Sequence, residues 1–294
     1  DRVQADVRLS FGQVTAGLRK TAALLALAVM FTGCSAPAES ESGAALPDVV
    51  GSMDIRYAEQ FSVDYLADGS ALAEVADGRR YLIIPDGGEV PDQLPEDVTV
   101  ISQPENIYLA SSSSMDLFSS LDCLGDILAS STPESGWKLP EIAQAMADED
   151  ILYAGKYSSP DIELLMSEGC DLAIENMMIY HSPKTAEQIE SCGIPVFIER
   201  SSAESHPLGR LEWVRLYGLM LGKSDEAEKF FSEKCSLLDE VTSRESTGCT
   251  AAFFYISSNG SAVVRKPGDY ISKMIELAGG KYAVSYTHLT LPTN

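Results

Sequence analysis

Side chains able to act as nucleophile, base or metal ligand are few and scattered. Histidine occurs only at positions 181, 206 and 288. The chain contains no G-x-S-x-G, GxxxxGK[ST] or HExxH pattern, so an activated serine, a phosphate-cradling loop and a helical zinc site all lack their local signatures. Besides Cys34 there are five cysteines, Cys123, Cys170, Cys192, Cys235 and Cys249, and none forms a CxxC. That removes zinc ribbons and thioredoxin-type redox pairs. An odd number leaves at least one unpaired thiol in a monomer. Cys170 and Cys192 each precede an expected strand and are placed to lie side by side, either as a disulfide or as buried free thiols. His181, His206 and Glu199 together offer one N/O ligand set for free zinc or manganese. His206, however, stands directly before Pro207 at a helix start, where a structural role is expected. Arg210 and Glu212 are expected to anchor that helix by ion pairs or hydrogen bonds. A histidine-based catalytic centre is hard to staff, and no enzymatic activity is expected.

The 294 residues include 21 Lys+Arg against 44 Asp+Glu, a formal net charge of −23, with 45% hydrophobic residues. These are globular proportions, and the length allows two domains. The acidity opposes nucleic-acid binding, which needs clustered cations. It also opposes electrostatic docking on anionic lipid.

Near the start, Arg19 and Lys20 precede ten apolar residues, Ala22 to Phe31, followed by Thr32-Gly33-Cys34. A basic flank, a short apolar core and small residues describe a secretion signal, too short to span a bilayer as a helix. The ending resembles a bacterial lipobox, which implies that Cys34 becomes the lipid-modified first residue of the exported protein. Residues 1–33 are thus expected to be a signal peptide of uncertain start, since Asp1 is not a start residue. Residues 34–50 read as a lipid-anchored tether, rich in Ser, Ala, Glu and Gly.

The elements that must position a site follow. Ile55–Ala58, Phe61–Leu66, Ala71–Val75 and Tyr81–Pro85 are β-rich, with Asp68-Gly69 and Asp77-Gly78 as turns. They predict an antiparallel ribbon. From about residue 97, apolar strand-like runs alternate with helical stretches. Strands are expected at 98–101, 107–110, 124–130, 151–154, 171–174 and 194–198, and helices at 115–121, 140–147, 160–167 and 183–191. That alternation means parallel α/β packing. Helices are then expected at Leu208–Leu221 and Ser224–Ser243, the latter roughly 30 Å long. Strands at 250–256 and 262–264 and a helix at 270–278 restart the β–α rhythm.

Gly193-Ile-Pro-Val-Phe-Ile-Glu-Arg200 followed by Glu204-Ser-His-Pro-Leu-Gly-Arg-Leu-Glu-Trp213 is the most specific stretch. With Ser159-Pro-Asp-Ile-Glu163 leading into Cys170-Asp-Leu-Ala-Ile174, and with Ala278-Gly-Gly280, it resembles the substrate-binding lipoproteins of ABC importers for ferric siderophores, haem and cobalamin. Gly169-Cys170 stands where most of that family have Lys-Pro or similar. The resemblance covers about residues 50–284. It implies an α/β fold of two Rossmann-like lobes joined by one long helix, with the second lobe incomplete. Residues 51–206 would form the N-terminal lobe with its ribbon, 207–245 a helical segment and inter-lobe strut, and 246–284 part of the C-terminal lobe. Residues 285–294 resemble a spurious ending of metagenomic gene calls and are set aside, His288 included. So small a second lobe buries little core, so ligand binding by the stretch ending at Val284 is expected to be weak.

The resemblance implies a non-enzymatic binder, without a cofactor or resident metal, that hands an iron chelate or corrinoid to a permease and its ATPase. It would touch the membrane only through the lipid on Cys34. It places Glu163 on the outer face of the N-lobe, pairing with an arginine of the permease. Open α/β sheets bind ligands at the C-terminal ends of their strands. The ligand-binding candidates are accordingly Ser112, Ser113, Tyr157, Tyr180, His181 and Arg200, with aromatic faces for the organic shell and Arg for anionic oxygens. Met177-Met178 is read as core or cleft wall.

Overall fold

The computed structural model describes residues 46–284. Two five-stranded sheets share a core. The first contains β1 (Val49–Ser52), β2 (Phe61–Leu66), β3 (Ala71–Val75), β4 (Arg80–Ile84) and β5 (Val98–Ser102), in that spatial order. Strand β2 alternates at Phe61 and Val63, which face the main core, while Leu66 is buried on the other face with Leu82 and Ile84. The turns at Gly69 (φ 89°) and Gly78 (φ 88°) use left-handed backbone that glycine adopts without a Cβ penalty.

Two expectations are corrected here. Ile55–Ala58 is not a strand; Val49–Ser52 takes the edge of the sheet instead. Val98–Ser102 pairs parallel with β4 and so belongs to the ribbon sheet rather than to the α/β unit.

The second sheet contains β6 (Ile107–Leu109), β7 (Ile127–Ser130), β8 (Leu152–Tyr153), β11 (Leu172–Asn176) and β12 (Val196–Glu199). Its order is β12-β11-β6-β7-β8, every pair parallel. A small antiparallel pair, β9 (Gly155–Lys156) and β10 (Ser159–Pro160), lies between. The intervening helices are α1 (Met115–Ser120), α2 (Pro140–Ala147), α3 (Ile162–Ser167) and α4 (Pro183–Ser191). Helix α3 starts at Ile162, with Asp161 as its cap, because Pro160 is held in β10. Residues Leu124–Asp126 form a 3-10 turn, so only the second half of the expected 124–130 strand is extended.

One face of the parallel sheet carries Ile107, Leu109, Leu172, Ile174 and Phe197, packed against α1, α2, α5 and the ribbon. The other carries Tyr108, Ala173, Val196 and Ile198, packed against α3 and α4. Burial of both faces explains why these strands read as unbroken apolar runs.

Helix α5 (Pro207–Met220) seals the two sheets together. Trp213 is fully buried. Its ring meets Phe61 of the ribbon at 4.9 Å and Phe197 of the parallel sheet at 6.2 Å. Glu212 accepts the backbone N–H groups of Arg56, Tyr57 and Ala58 at 2.9, 2.7 and 2.8 Å. Glu204 accepts those of Glu59 and Gln60 at 2.8 and 3.0 Å. Five consecutive donors, 56–60, are thus taken by two buried carboxylates and are withdrawn from any strand ladder. Arg210 donates to the Ser202 carbonyl at 2.7 Å, so both predicted anchors act through hydrogen bonds.

Helix α6 (Ser224–Thr242) follows, packed on α5 through Ala227 and Phe231. Beyond it, β13 (Thr250–Ala251) pairs with β16 (Lys281–Tyr282), and β14 (Phe254–Ile256) with β15 (Ala262–Val264). The single strand expected at 250–256 is therefore two short ones in different sheets. Phe253, Phe254, Tyr255 and Ile256 are exposed. Helix α7 (Tyr270–Leu277) reaches α5, where the Arg210 guanidinium lies 3.5 Å from the Tyr270 ring centroid. Among the described residues no helix is long and apolar enough to cross a membrane.

Candidate functional site

Strand β6 is central in its sheet. The chain goes from it to β7 and β8 on one side and later to β11 and β12 on the other. That reversal is a topological switch point between the loops after β6 and β11, the crevice position at which open α/β sheets take ligands. Asn176 ties the crevice together. Its Nδ2 donates to the Ala110 carbonyl at 3.2 Å, and its Oδ1 accepts the Met178 N–H at 2.8 Å.

The loop after β6 presents Ser112 and Ser113 to solvent, while Ser111 and Ser114 are buried. Ser111 donates to Glu199 Oε2 at 2.8 Å and Ser113 to the same oxygen at 3.3 Å. The Ser201 N–H donates to Glu199 Oε1 at 2.6 Å. Glu199 is completely buried, and these donors offset the loss of water that burial imposes on its charge. Ser114 and Tyr217 share a hydrogen bond at 2.9 Å, and burial raises the Tyr217 phenol well above its ordinary value.

Tyr180 and Arg200 are brought together from the loops after β11 and β12. Arg200 Nη1 donates to the Tyr180 hydroxyl at 3.0 Å. Tyr180 donates its own proton to Asp77 Oδ2 at 2.6 Å. Arg200 Nε and Nη2 both donate to Gln60 Oε1, at 3.2 and 3.1 Å. Burial and the Asp77 bond push the Tyr180 phenol upward, against the Arg200 bond. Among the described residues Arg200 has no carboxylate partner, whereas Arg79, Arg80, Arg215, Arg244 and Arg265 each have one. Arg200 is therefore oriented without a direct ion pair, and its link to a carboxylate runs through the Tyr180 hydroxyl to Asp77.

The other candidates separate. His181 and Met178 are exposed on the same loop as Tyr180. Tyr157 is half-buried and packs against the core under α3 and α4 rather than standing free in the crevice. Glu163 is exposed in the first turn of α3, on a helix whose Leu165 is buried beneath it. Cys34 lies outside the described residues. The His181–His206–Glu199 metal set does not assemble: among the described residues no group of three or more His, Cys, Asp or Glu could hold an ion. His206 instead accepts the Leu208 N–H on Nδ1 at 3.1 Å and stacks on Tyr57 at 4.7 Å, and burial lowers its pKa. Cys170 is buried and Cys192 half-buried, both as free thiols.

Sequence reasoning missed Gln60, and it read Asp77 only as a turn residue. It also missed Glu175, a carboxyl on β11 that is fully buried with both oxygens unbonded. Burial pushes Glu175 up to about 8. The Tyr108 hydroxyl on the neighbouring strand is likewise buried without a partner. The one available signal was a lone acid inside the apolar run Leu172–Asn176.

No family model matches the chain. An uncharacterised lipoprotein of Methanocaldococcus jannaschii is 23% identical over 218 residues, covering 68% of this chain and 51% of that protein. The chain thus spans about half the length of that curated relative. Solved structures agree at the level of the fold. A periplasmic haem-binding protein of Vibrio cholerae has a TM-score of 0.52 at 16% identity, over 62% of this chain and 67% of that one. The petrobactin-binding protein of Bacillus subtilis has 0.53 at 12% identity, over 73% and 67%. A periplasmic binding protein of Veillonella parvula has 0.53 at 17%, over 68% of each. These neighbours are solute-binding proteins rather than enzymes. With its parallel sheet, flanking helices and long α6, the chain has the mixed α/β fold of the periplasmic solute-binding proteins.

Proposed function

We propose that this chain is the extracytoplasmic solute-binding component of an ABC importer, that it captures an anionic iron chelate, siderophore or haem, or else a corrinoid, and that it delivers it to the permease and its ATPase. The observation that carries the reading is the Arg200–Tyr180 pair at the switch point, a guanidinium without a direct carboxylate partner held against a phenol. Arg meets carboxylate or catecholate oxygens through charge-assisted hydrogen bonds, and Tyr180 adds an aromatic face. Ser112, Ser113 and His181 complete the rim, and Met178 supplies an apolar wall. In this reading Cys34 carries the lipid anchor, Glu163 docks on the permease, α6 is the strut and residues 246–284 open the second lobe.

Titration of the full-length protein with ferric enterobactin, haemin and cyanocobalamin, followed by quenching of Tyr and Trp fluorescence, tests the reading. Stoichiometric binding of one of the three supports it, and Arg200→Ala should then weaken an anionic ligand. Binding of zinc alone, with none of the three, would replace it with the free-metal reading. For the anchor, Cys34→Ala should release the protein from the membrane fraction without unfolding it; retention after a salt wash would remove the lipid from the account.

A further inference from the structure

Resting on that reading, we infer that Gln60 is a positioning residue that aims Arg200 at the ligand without adding a countercharge of its own. Gln60 ends the segment 54–60 and is placed by its own N–H, which donates to Glu204 Oε1 at 3.0 Å. Glu204 is in turn held by Trp213 Nε1 at 3.0 Å. The Gln60 amide oxygen then accepts two Arg200 N–H groups along one edge of the guanidinium, at 3.2 and 3.1 Å. Tyr180 accepts a third, at 3.0 Å. Three of the five donors are used, and one on each Nη remains. The remaining two belong to the nitrogens that grip an anion in a bidentate pair.

The chemistry of the holder matters. A carboxylate at position 60 would grip the same edge as firmly, but it would neutralise the guanidinium and repel an anion. An amide fixes the side chain and adds no charge. The grip also lowers the ordering cost on binding, because a long flexible side chain is already in one rotamer. The consequence is selectivity by charge: the loop network favours ligands with anionic oxygens at this end of the crevice.

The test compares Gln60→Glu with Arg200→Ala in the full-length protein, using ferric enterobactin and haemin as anionic probes. Gln60→Glu should keep an ordered Arg200 Nε–H resonance and an unchanged or higher melting temperature. It should weaken the anionic probes on the order of tenfold at low salt, because like charges across a contact are repulsive. The gap should close as salt is added, since the effect is electrostatic. A purely structural role for Gln60 would leave the salt dependence unmoved. If Gln60→Glu binds both probes as tightly as the wild type while Arg200→Ala does not, the positioning role falls and the ligand site stands. If Arg200→Ala also binds as tightly, both fall; if the wild type binds neither probe but takes cyanocobalamin, the positioning role falls and the importer reading stands.

Discussion

The Tyr57 N–H donates to Glu212 Oε2 at 2.7 Å across 155 residues of chain. The same carboxylate, fully buried, takes the Arg56 and Ala58 N–H groups and an Arg215 Nη1 at 3.2 Å. This contact docks the first irregular segment onto α5 and thereby sets where Gln60 sits. Glu212→Ala would strand three backbone donors and part of Arg215. It should cost about 3–5 kcal/mol in urea unfolding, with Glu212→Gln losing less because one acceptor oxygen is retained. A loss below that of a typical surface substitution would show that water replaces the carboxylate without penalty.

Glu175 predicts an unusual pH profile. Its folded pKa is raised from 4.5 to about 8 by burial, so the folded state holds a proton that the unfolded chain releases at lower pH. Its contribution to stability is complete below about pH 4.5. It is lost as pH rises through that window to about 8, by on the order of 4–5 kcal/mol at the limit. Glu175→Gln keeps the shape and removes the ionisation. Urea midpoints measured at several pH values should therefore slope downward toward pH 8.5 in the wild type and be flatter in the variant. Parallel slopes would mean that water or a partner reaches the carboxyl.

The α5–α6 contact is close enough to depend on a glycine. A Cβ on Gly218 would meet Ala227 Cβ and stand 2.8 Å from the Lys223 carbonyl oxygen. Gly218→Val should destabilise by about 1–3 kcal/mol through overpacking. On the facing helix, Phe231 is fully buried and Phe230 only partly. Phe231→Ala should cost about 3–5 kcal/mol, and Phe230→Ala clearly less. Equal costs would contradict the orientation of α6.

Glu163 is exposed and takes no part in the hydrogen bonds of the Arg200–Tyr180 network. If it docks on the permease, Glu163→Arg should leave chelate affinity unchanged and lower uptake about tenfold at limiting ligand, as expected for a rim charge that sets association. Uptake assays with the full-length protein decide this. A matching loss of chelate affinity would move Glu163 into the ligand site.

Local pattern was enough for most elements. Alternation at Phe61 and Val63, the apolar β6 and the Val196–Ile198 run of β12, the prolines opening α2, α4 and α5, and the 3–4 spacing of α6 all reflect forces acting between near neighbours, so they are written locally. The antiparallel ribbon, the parallel α/β unit and the long α6 followed from them. Ile55–Ala58 looked like a strand because its residue types suit one, but its backbone donors at 56–58 are taken by Glu212, more than 150 residues away. Val98–Ser102 had the right pattern for either sheet, and only packing chose the ribbon. Tyr180 and Arg200 were legible as residue types at strand ends. That they meet, that Gln60 and Asp77 hold them, that Tyr157 turns into the core and that Glu199 is buried under Ser111 depend on strand order. Strand order is settled by the burial of two sheet faces at once, a property of the whole core that no window of sequence contains.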